Sequence, residues 1–262
     1  MTQSVLFFDS GVGGLSVLAE VRQRCPQLNL RYLMDDAEFP YGIKPDKALS
    51  QRVLQVCSTA VDTFSPDLLV IACNTASTLT LPLLRQTLRI PVVGVVPAIK
   101  PAAELANGGH IGLLATPATV DRLYIEDLIQ DFAEHCHVDR FGSSLLVEWA
   151  EQYLNDGLPS DGLKAHLQPW FSDFPQMNHV VLGCTHFPLL KPQLQQLWPD
   201  MHWIDSGEAI ARRVESLLQT AAQNTSGKLS LHWTSNCPAP AGASRFLQNL
   251  GQLAQSFPLT GV

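Results

Sequence analysis

The sequence predicts an α/β fold of two similar lobes, each on a mostly parallel sheet, with strand ends turned toward a common active-site cleft. Three observations carry that prediction. Short apolar runs alternate with amphipathic helical stretches along most of the 262 residues, which is the rhythm of α/β layering. Two of the apolar runs end in a cysteine followed by small polar residues at the start of a helical stretch: Leu68-Leu69-Val70-Ile71-Ala72-Cys73-Asn74-Thr75 and Val180-Val181-Leu182-Gly183-Cys184-Thr185-His186. An internal echo links the two halves, Phe8-Asp9-Ser10-Gly11 answering Ile204-Asp205-Ser206-Gly207, and Ala72-Cys73-Asn74-Thr75 answering Gly183-Cys184-Thr185-His186. Asp-Ser-Gly is also a common strand-to-helix cap, so the echo suggests similar lobes without proving duplication.

Element by element, Val5 to Asp9 reads as a strand, and Gly11-Val12-Gly13-Gly14 turns it into a helix from Leu15 to about Cys25. Asn29 to Met34 is a second strand, Lys47 to Phe64 a helix, and Asp67 to Cys73 a third strand. Ala76 to Leu88 is helical despite Pro82, and Pro91 to Val96 is strand again. The rhythm then repeats. His110 to Ala115 is a strand, followed by one long helix from about Ala118 to Cys136 and a short strand near Val138. Helices follow at Leu145 to Tyr153 and Gly162 to Phe171. Asn178 to Cys184 is a strand, then come a helix from Lys191 to Trp198, a strand from His202 to Asp205 and a helix from Glu208 to Gln219. Leu229 to Thr234 and Ala243 to Leu250 form the final strand and helix. The prolines between Val96 and Pro101 mark a boundary, and the chain returns near Asp205. The expected lobes are therefore residues 1–97 with 207–262, and residues 98–206.

Composition narrows the function. With 46% hydrophobic and 16% charged residues the chain is globular, and a formal charge of −7 leaves no nucleic-acid footprint. The N-terminus lacks the basic and apolar regions of a signal peptide, and no apolar run is long enough to span a membrane, so a cytoplasmic location is expected. The six cysteines (25, 57, 73, 136, 184 and 237) include no C-x-x-C and do not read as a disulfide framework. Cys25, Cys57 and Cys136 fall in or at the ends of helical stretches, where a small buried hydrophobe is the usual role. In His135-Cys136-His137 neighbouring side chains point apart and no second pair has zinc-like spacing, so no metal site is expected.

The chemistry concentrates at the strand ends, where open α/β sheets bind ligands. Two thiols presented to one carbon can remove a proton from one side and return it on the other. Helix starts near both cysteines favour the thiolate. His186, two residues past Cys184, can polarise that thiol or accept its proton, and Asp9 can do the same for Cys73. The glycines at 11, 13 and 14 complete neither a dinucleotide fingerprint nor a P-loop. They either bring backbone N–H groups to a small anion or simply make a tight turn. Asn74, Thr75 and Thr185 are caps by default, yet they have the inventory to hold the ammonium and carboxylate of a zwitterion. Tyr41-Gly42, after Phe39-Pro40, forms a turn whose tyrosine can lie over the cleft. On the residues alone, a cysteine hydrolase or lyase with one covalent thiol, and a non-catalytic amino-acid-binding protein, stay open beside the two-thiol reading.

The chain resembles the cofactor-independent aspartate/glutamate racemase family. The resemblance rests on Asp9-Ser10-Gly11-Val12-Gly13-Gly14-Leu15, Phe39-Pro40-Tyr41-Gly42, Ala72-Cys73-Asn74-Thr75-Ala76-Ser77, Leu182 to Leu190, and Asp205-Ser206-Gly207. His186 after Cys184-Thr185 is similar to the glutamate racemase branch, since aspartate racemases carry Glu there. Met34-Asp35-Asp36 and Val95-Val96-Pro97-Ala98-Ile99-Lys100-Pro101 depart from the usual motifs. They look like a branch in which some members are activated by UDP-N-acetylmuramoyl-L-alanine.

The resemblance implies interconversion of L- and D-glutamate for peptidoglycan synthesis, without cofactor or metal, in a monomer or homodimer. It assigns Cys73 to the D-isomer with help from Asp9, and Cys184 to the L-isomer with help from His186. Glu148 is the matched assisting glutamate on the Cys184 side. Asp9, Ser10, Tyr41, Gly42, Asn74, Thr75, Thr185 and His186 are implied to line the substrate pocket, with Thr116 and Thr119 as candidates for the carboxylate site.

Overall fold

The computed structural model describes residues 2–156, 160–218 and 226–262. The chain forms two compact units, Met1–Val95 with Gly207–Val262, and Val96–Ser206. In chain order the first unit opens with β1 (Ser4–Asp9), α1 (Leu15–Arg24), β2 (Asn29–Met34), α2 (Asp46–Phe64), β3 (Leu68–Ile71), α3 (Asn74–Thr87) and β4 (Val92–Gly94). The second unit comprises α4 (Ile99–Ala106), β5 (His110–Ala115), α5 (Pro117–Val120), α6 (Leu123–Ala133), β6 (His137–Gly142), α7 (Leu145–Asp156), α8 (Ser160–Asp173), β7 (His179–Leu182), α9 (Lys191–Leu197) and β8 (His202–Ile204). The return adds α10 (Gly207–Leu218), β9 (Leu229–Trp233), α11 (Ala241–Leu250) and β10 (Leu253–Pro258) to the first unit.

The first unit's sheet runs β10-β9-β2-β1-β3-β4 and the second unit's runs β6-β5-β7-β8. Every described pairing in both sheets is parallel. Parallel sheets are covered on both faces, so their central strands are apolar throughout. Accordingly every residue of β1 and β3 is buried. α2 covers the first sheet with Leu49, Val53, Val56, Cys57 and Ala60, a stripe at helical spacing.

Within both sheets the same strand order recurs. β2-β1-β3-β4 and β6-β5-β7-β8 each place the second strand on one side of the first and the third on the other. The order in which strands are added therefore reverses between the first and third strands, and ligands bind at the carboxyl end of such a switch point. In the first unit that edge carries Asp9 and Cys73, and in the second it carries Thr116 and Cys184. The cysteine half of the sequence echo is thus a matched position, the second residue past the third strand in each unit. The Asp-Ser-Gly half is not, because Asp9 ends a first strand whereas Asp205 follows a fourth.

Several elements differ from the sequence reading. The long helix expected from Ala118 to Cys136 is broken, because Arg122 adopts an extended conformation and starts α6 afresh. The amphipathic pattern runs through the break and conceals it. β6 is a full six-residue strand whose residues are half-buried or exposed, so its apolar signal is weak. α4 was hidden by Pro101, which falls in the helix's first turn, where no intrahelical N–H is required. β10 follows the last expected helix as a largely exposed edge strand ending at Pro258, a position where proline is tolerated. β3 and β7 stop at Ile71 and Leu182, which leaves both cysteines just beyond the ladders. Gln219, expected to end α10, lies outside the described residues. Among the described residues no helix is long and apolar enough to cross a membrane.

Candidate active site

In the first unit, Phe8 stands opposite Ile71 in the β1–β3 register, so Asp9 and Cys73 emerge at the same carboxyl edge. Asp9 is fully buried. Its Oδ1 accepts from Ser10 Oγ at 3.2 Å and from the Gly11 N–H at 3.1 Å, which folds the loop back over the strand tip. Tyr32 Oη donates to the Gly11 carbonyl at 2.8 Å and holds the next turn of that loop. Gly14 begins α1 against the end of β3. A Cβ there would lie 2.7 Å from Ala72 Cβ and 3.0 Å from both Ala72 O and Tyr32 Oη. Its φ of −64° is ordinary, so the glycine serves close approach rather than backbone freedom.

Cys73 is the N-cap of the fourteen-residue α3 and is 6% exposed. The positive end of the helix macrodipole there favours a thiolate. Asn74 and Thr75 follow in the first turn, both buried. Asn74 Oδ1 has no hydrogen-bond partner although it is shut away from solvent. A buried acceptor without a partner is uncommon and calls for a donor from elsewhere, and a substrate ammonium is one. Tyr41 is buried beside Phe8, and its hydroxyl donates to Asp35 Oδ2 at 2.5 Å. Burial and the neighbouring Asp35 carboxylate push that phenol far up. The hydroxyl is therefore committed to Asp35, while the half-buried Gly42 backbone follows in the turn. Asp35 is itself fully buried and accepts from Arg52 Nε at 2.9 Å, Arg52 Nη2 at 2.6 Å and Thr234 Oγ1 at 2.6 Å.

In the second unit, Cys184 is 7% exposed and lies two residues beyond β7. It does not head an α-helix as the sequence suggested. A short 3₁₀ turn, Phe187–Leu190, follows instead. Charge support comes from side chains. His186 Nδ1 lies 3.8 Å from Cys184 Sγ, and its Nε2 lies 2.8 Å from Glu151 Oε1 on α7. Burial acts to lower the His186 pKa, but its hydrogen bonds to Cys184 and Glu151 override this and raise it well above the usual imidazole value. The ring thus favours the imidazolium, which donates toward the sulfur on one side and the carboxylate on the other.

Glu148, the glutamate matched from the sequence, is exposed on α7. The contact with His186 belongs to Glu151, three residues on. Two carboxylates one helical turn apart gave the sequence reading no means of choosing between them. Thr185 is buried between Cys184 and His186. Thr116 and Thr119, at the carboxyl edge of β5, are buried and bonded to each other at 2.8 Å between hydroxyls. The remaining cysteines are unlike the two at the strand ends. Burial pushes the Cys25 and Cys57 thiols up, Cys136 is half-buried and Cys237 exposed.

Each unit therefore offers a buried strand-end thiol with its own polarising support, a helix start for Cys73, with Asp9 at the same strand edge, and an imidazolium–carboxylate pair for Cys184. Such thiols suit proton transfer at carbon. The comparisons with known proteins agree. The family model described as Asp/Glu/Hydantoin racemase matches residues 15–214. The glutamate racemase of Histophilus somni (strain 2336) is 49% identical over 218 residues, 82% of this chain and 81% of that protein. That of Shewanella loihica is 48% identical over 238 residues, 90% of this chain and 89% of that one. The solved glutamate racemase of Escherichia coli, in complex with L-glutamate and the activator UDP-MurNAc-Ala, superposes with a TM-score of 0.91 at 42% identity, covering 99% of this chain and 98% of that chain. On this evidence the chain belongs to the Asp/Glu/hydantoin racemase family.

Proposed function

We propose that this protein interconverts L- and D-glutamate by proton transfer between Cys73 and Cys184. The observation that carries the reading is the matched placement of the two thiols, each buried just past the third strand of the four-strand order that the two sheets share. The Escherichia coli relative, solved with L-glutamate, supplies the substrate.

With L-glutamate, the Cys184 thiolate breaks the Cα–H bond and takes the proton. The electron pair delocalises into the α-carboxylate, and the Cys73 thiol protonates the carbon on its other face. A D-glutamate and a Cys73 thiolate result, and the reverse direction exchanges the roles. A free thiol has a pKa of ~8.5, so the site must favour the thiolate near neutrality. The α3 N-terminus does this for Cys73, with Asp9 as its proton partner, and His186 held by Glu151 does it for Cys184. General acid–base catalysis contributes roughly 10²–10⁴-fold, so positioning and exclusion of water supply much of the rest. Asn74 Oδ1 accepts from the substrate ammonium, and Ser10, Thr75, Thr185 and the Thr116–Thr119 pair supply donors to its carboxylates. The Tyr41-Gly42 turn borders the same substrate. Because the thiols are both acid and base, the scheme needs no prosthetic group.

In this reading D-glutamate serves peptidoglycan synthesis and the enzyme works in the cytoplasm. The activator bound by the Escherichia coli relative extends to this chain as a regulator, since the Met34-Asp35-Asp36 and Val95-to-Pro101 segments resemble the activated branch. Incubation with L-glutamate in D₂O, without added cofactor and with or without UDP-N-acetylmuramoyl-L-alanine, tests the reading. D-glutamate carrying α-deuterium supports it. Hydrolysis or elimination products, or binding without turnover, would overturn it.

A further inference from the structure

We propose that His110, His137 and Asp139 form a binding site for a divalent ion of the zinc class in the second unit. No local spacing betrays this group, because His110 and His137 come from different strands. The parallel register of β5 and β6 sets His110 directly opposite His137, and Gly112 opposite Asp139. Side chains two residues apart share a face of a sheet, so His137 and Asp139 project together from β6 beside His110.

The three groups converge on one point. His110 Nε2 makes a short contact with Asp139 Oδ2, and His137 Nε2 lies 3.2 Å from the same oxygen. The two imidazole rings meet edge to face with centroids 4.4 Å apart. One donor atom from each residue falls within 4.8 Å of the others. A tetrahedral ion with bonds of ~2.0–2.2 Å needs donors roughly 3.3–3.5 Å apart. The His137–Asp139 separation is close to that value, and an ion would take the place of the direct His110–Asp139 contact, with the His110 ring drawing back to make room.

The surroundings suit a bound ion. His110 and Asp139 are mostly buried, whereas the His137 side chain is 69% exposed, which leaves an entry path and an open coordination position for water. The Phe174 ring packs against His110 at 5.4 Å. A Cβ at Gly112 would meet Met177 Sδ at 2.5 Å and Trp170 at 2.7 Å, so an apolar floor lies directly beneath Asp139's partner position. Two imidazole nitrogens and one carboxylate oxygen favour zinc-class ions over calcium or magnesium, which prefer all-oxygen shells.

His110 and His137 open their strands, whereas Thr116 and Cys184 follow the strands' carboxyl ends. Five residue steps along β5 put the cluster about 17 Å from that edge. The ion would therefore clip β5 to β6 and stabilise the folded unit through its own binding, outside the racemase chemistry.

The test is zinc retention and thermal unfolding of the full-length protein. Because zinc also seeks thiols, both are repeated on the Cys73→Ser/Cys184→Ser/Cys237→Ser variant. The proposal expects one zinc per chain after dialysis and a raised unfolding midpoint with zinc, in both proteins. His137→Gln and Asp139→Asn should each weaken zinc binding by about tenfold or more, and His137→Gln, at an exposed site, should keep its basal turnover. Absence of retained zinc, retention unchanged in His137→Gln, or retention that vanishes with the cysteine substitutions would each overturn it.

Discussion

The imidazole of His186 is clamped between Glu151 Oε1, 2.8 Å from its Nε2, and Cys184 Sγ, 3.8 Å from its Nδ1. Glu151 comes from α7 and the thiol from the loop after β7, so two separate elements fix the ring's orientation. This arrangement replaces the helix N-terminus that Cys73 has and Cys184 lacks.

Glu151→Gln should therefore impair catalysis while Glu148→Gln leaves it unchanged. Losing a hydrogen bond to a charged group costs about 1.5–3 kcal/mol, or roughly 10–100-fold in rate. The enantiomers have an equilibrium constant of one, so kcat/KM must fall equally in both directions. Directionality appears in kcat and KM separately, or in isotope effects, with the L-glutamate direction hit harder. The carboxylate helps raise the His186 pKa, so Glu151→Gln should move that ring's NMR titration to lower pH. An unmoved titration, or equal damage from Glu148→Gln, would count against the clamp.

Gly14→Ala tests the packing behind Cys73. The added methyl would sit 2.7 Å from Ala72 Cβ, on backbone that has no flexible side chain to yield. Overpacking of this kind costs about 1–3 kcal/mol. Urea unfolding should show that loss together with reduced racemisation, because the displaced segment carries Cys73. A variant with the parent's stability and activity would show that the contact relaxes freely.

Both cysteine sites were legible in the sequence because an apolar run ending in Cys-polar-polar is a local pattern. The central strands were legible for the same reason, their burial on both faces leaving continuous apolar runs. What escaped depends on distant pairing. Glu151 is chosen over Glu148 only by the position of α7 against the loop carrying His186. Asp35 was visible only as a departure from a motif, yet it gathers Tyr41, Arg52 and Thr234 from three parts of the first unit. β6 and β10 were understated or missed because edge and half-exposed strands lack the apolar signal.

The Asp35 network yields a stability prediction. Arg52→Ala leaves a buried carboxylate with hydroxyl donors alone, at a cost on the order of 3 kcal/mol. Asp35→Asn in the same chain removes the uncompensated charge. The double variant should thus unfold at higher urea concentration than Arg52→Ala by itself. If the two substitutions simply add, the carboxylate is not held by Arg52 as the geometry shows.

His232 predicts a pH dependence. It is fully buried between Ser230 Oγ and the Phe257 carbonyl, with Phe64 and Phe257 rings at 4.4 Å. Burial is the main cause that pushes its pKa down to about 4, with Arg31 adding to it and the Phe257 carbonyl opposing. Between about pH 4 and 6.5 the unfolded chain binds a proton that the folded chain refuses, so stability rises with pH across that window. The contribution is complete above about 6.5, is lost as pH falls toward 4, and amounts to roughly 3 kcal/mol. Urea unfolding of wild type and His232→Gln at pH 4.5 and 7 measures it, and the variant should show the shallower slope. Equal slopes would remove His232 from the account.

The central claim is that one thiol serves each enantiomer, and HCl elimination from β-chloroglutamate tests it most directly because elimination needs only one base. Cys73→Ser and Cys184→Ser should both lose racemisation of glutamate. Cys73→Ser, keeping Cys184, should eliminate HCl from the L-configured analogue and spare the D-configured one. Cys184→Ser should do the reverse. Elimination of both enantiomers by either single variant, or racemisation near the parent rate, would contradict the two-thiol mechanism.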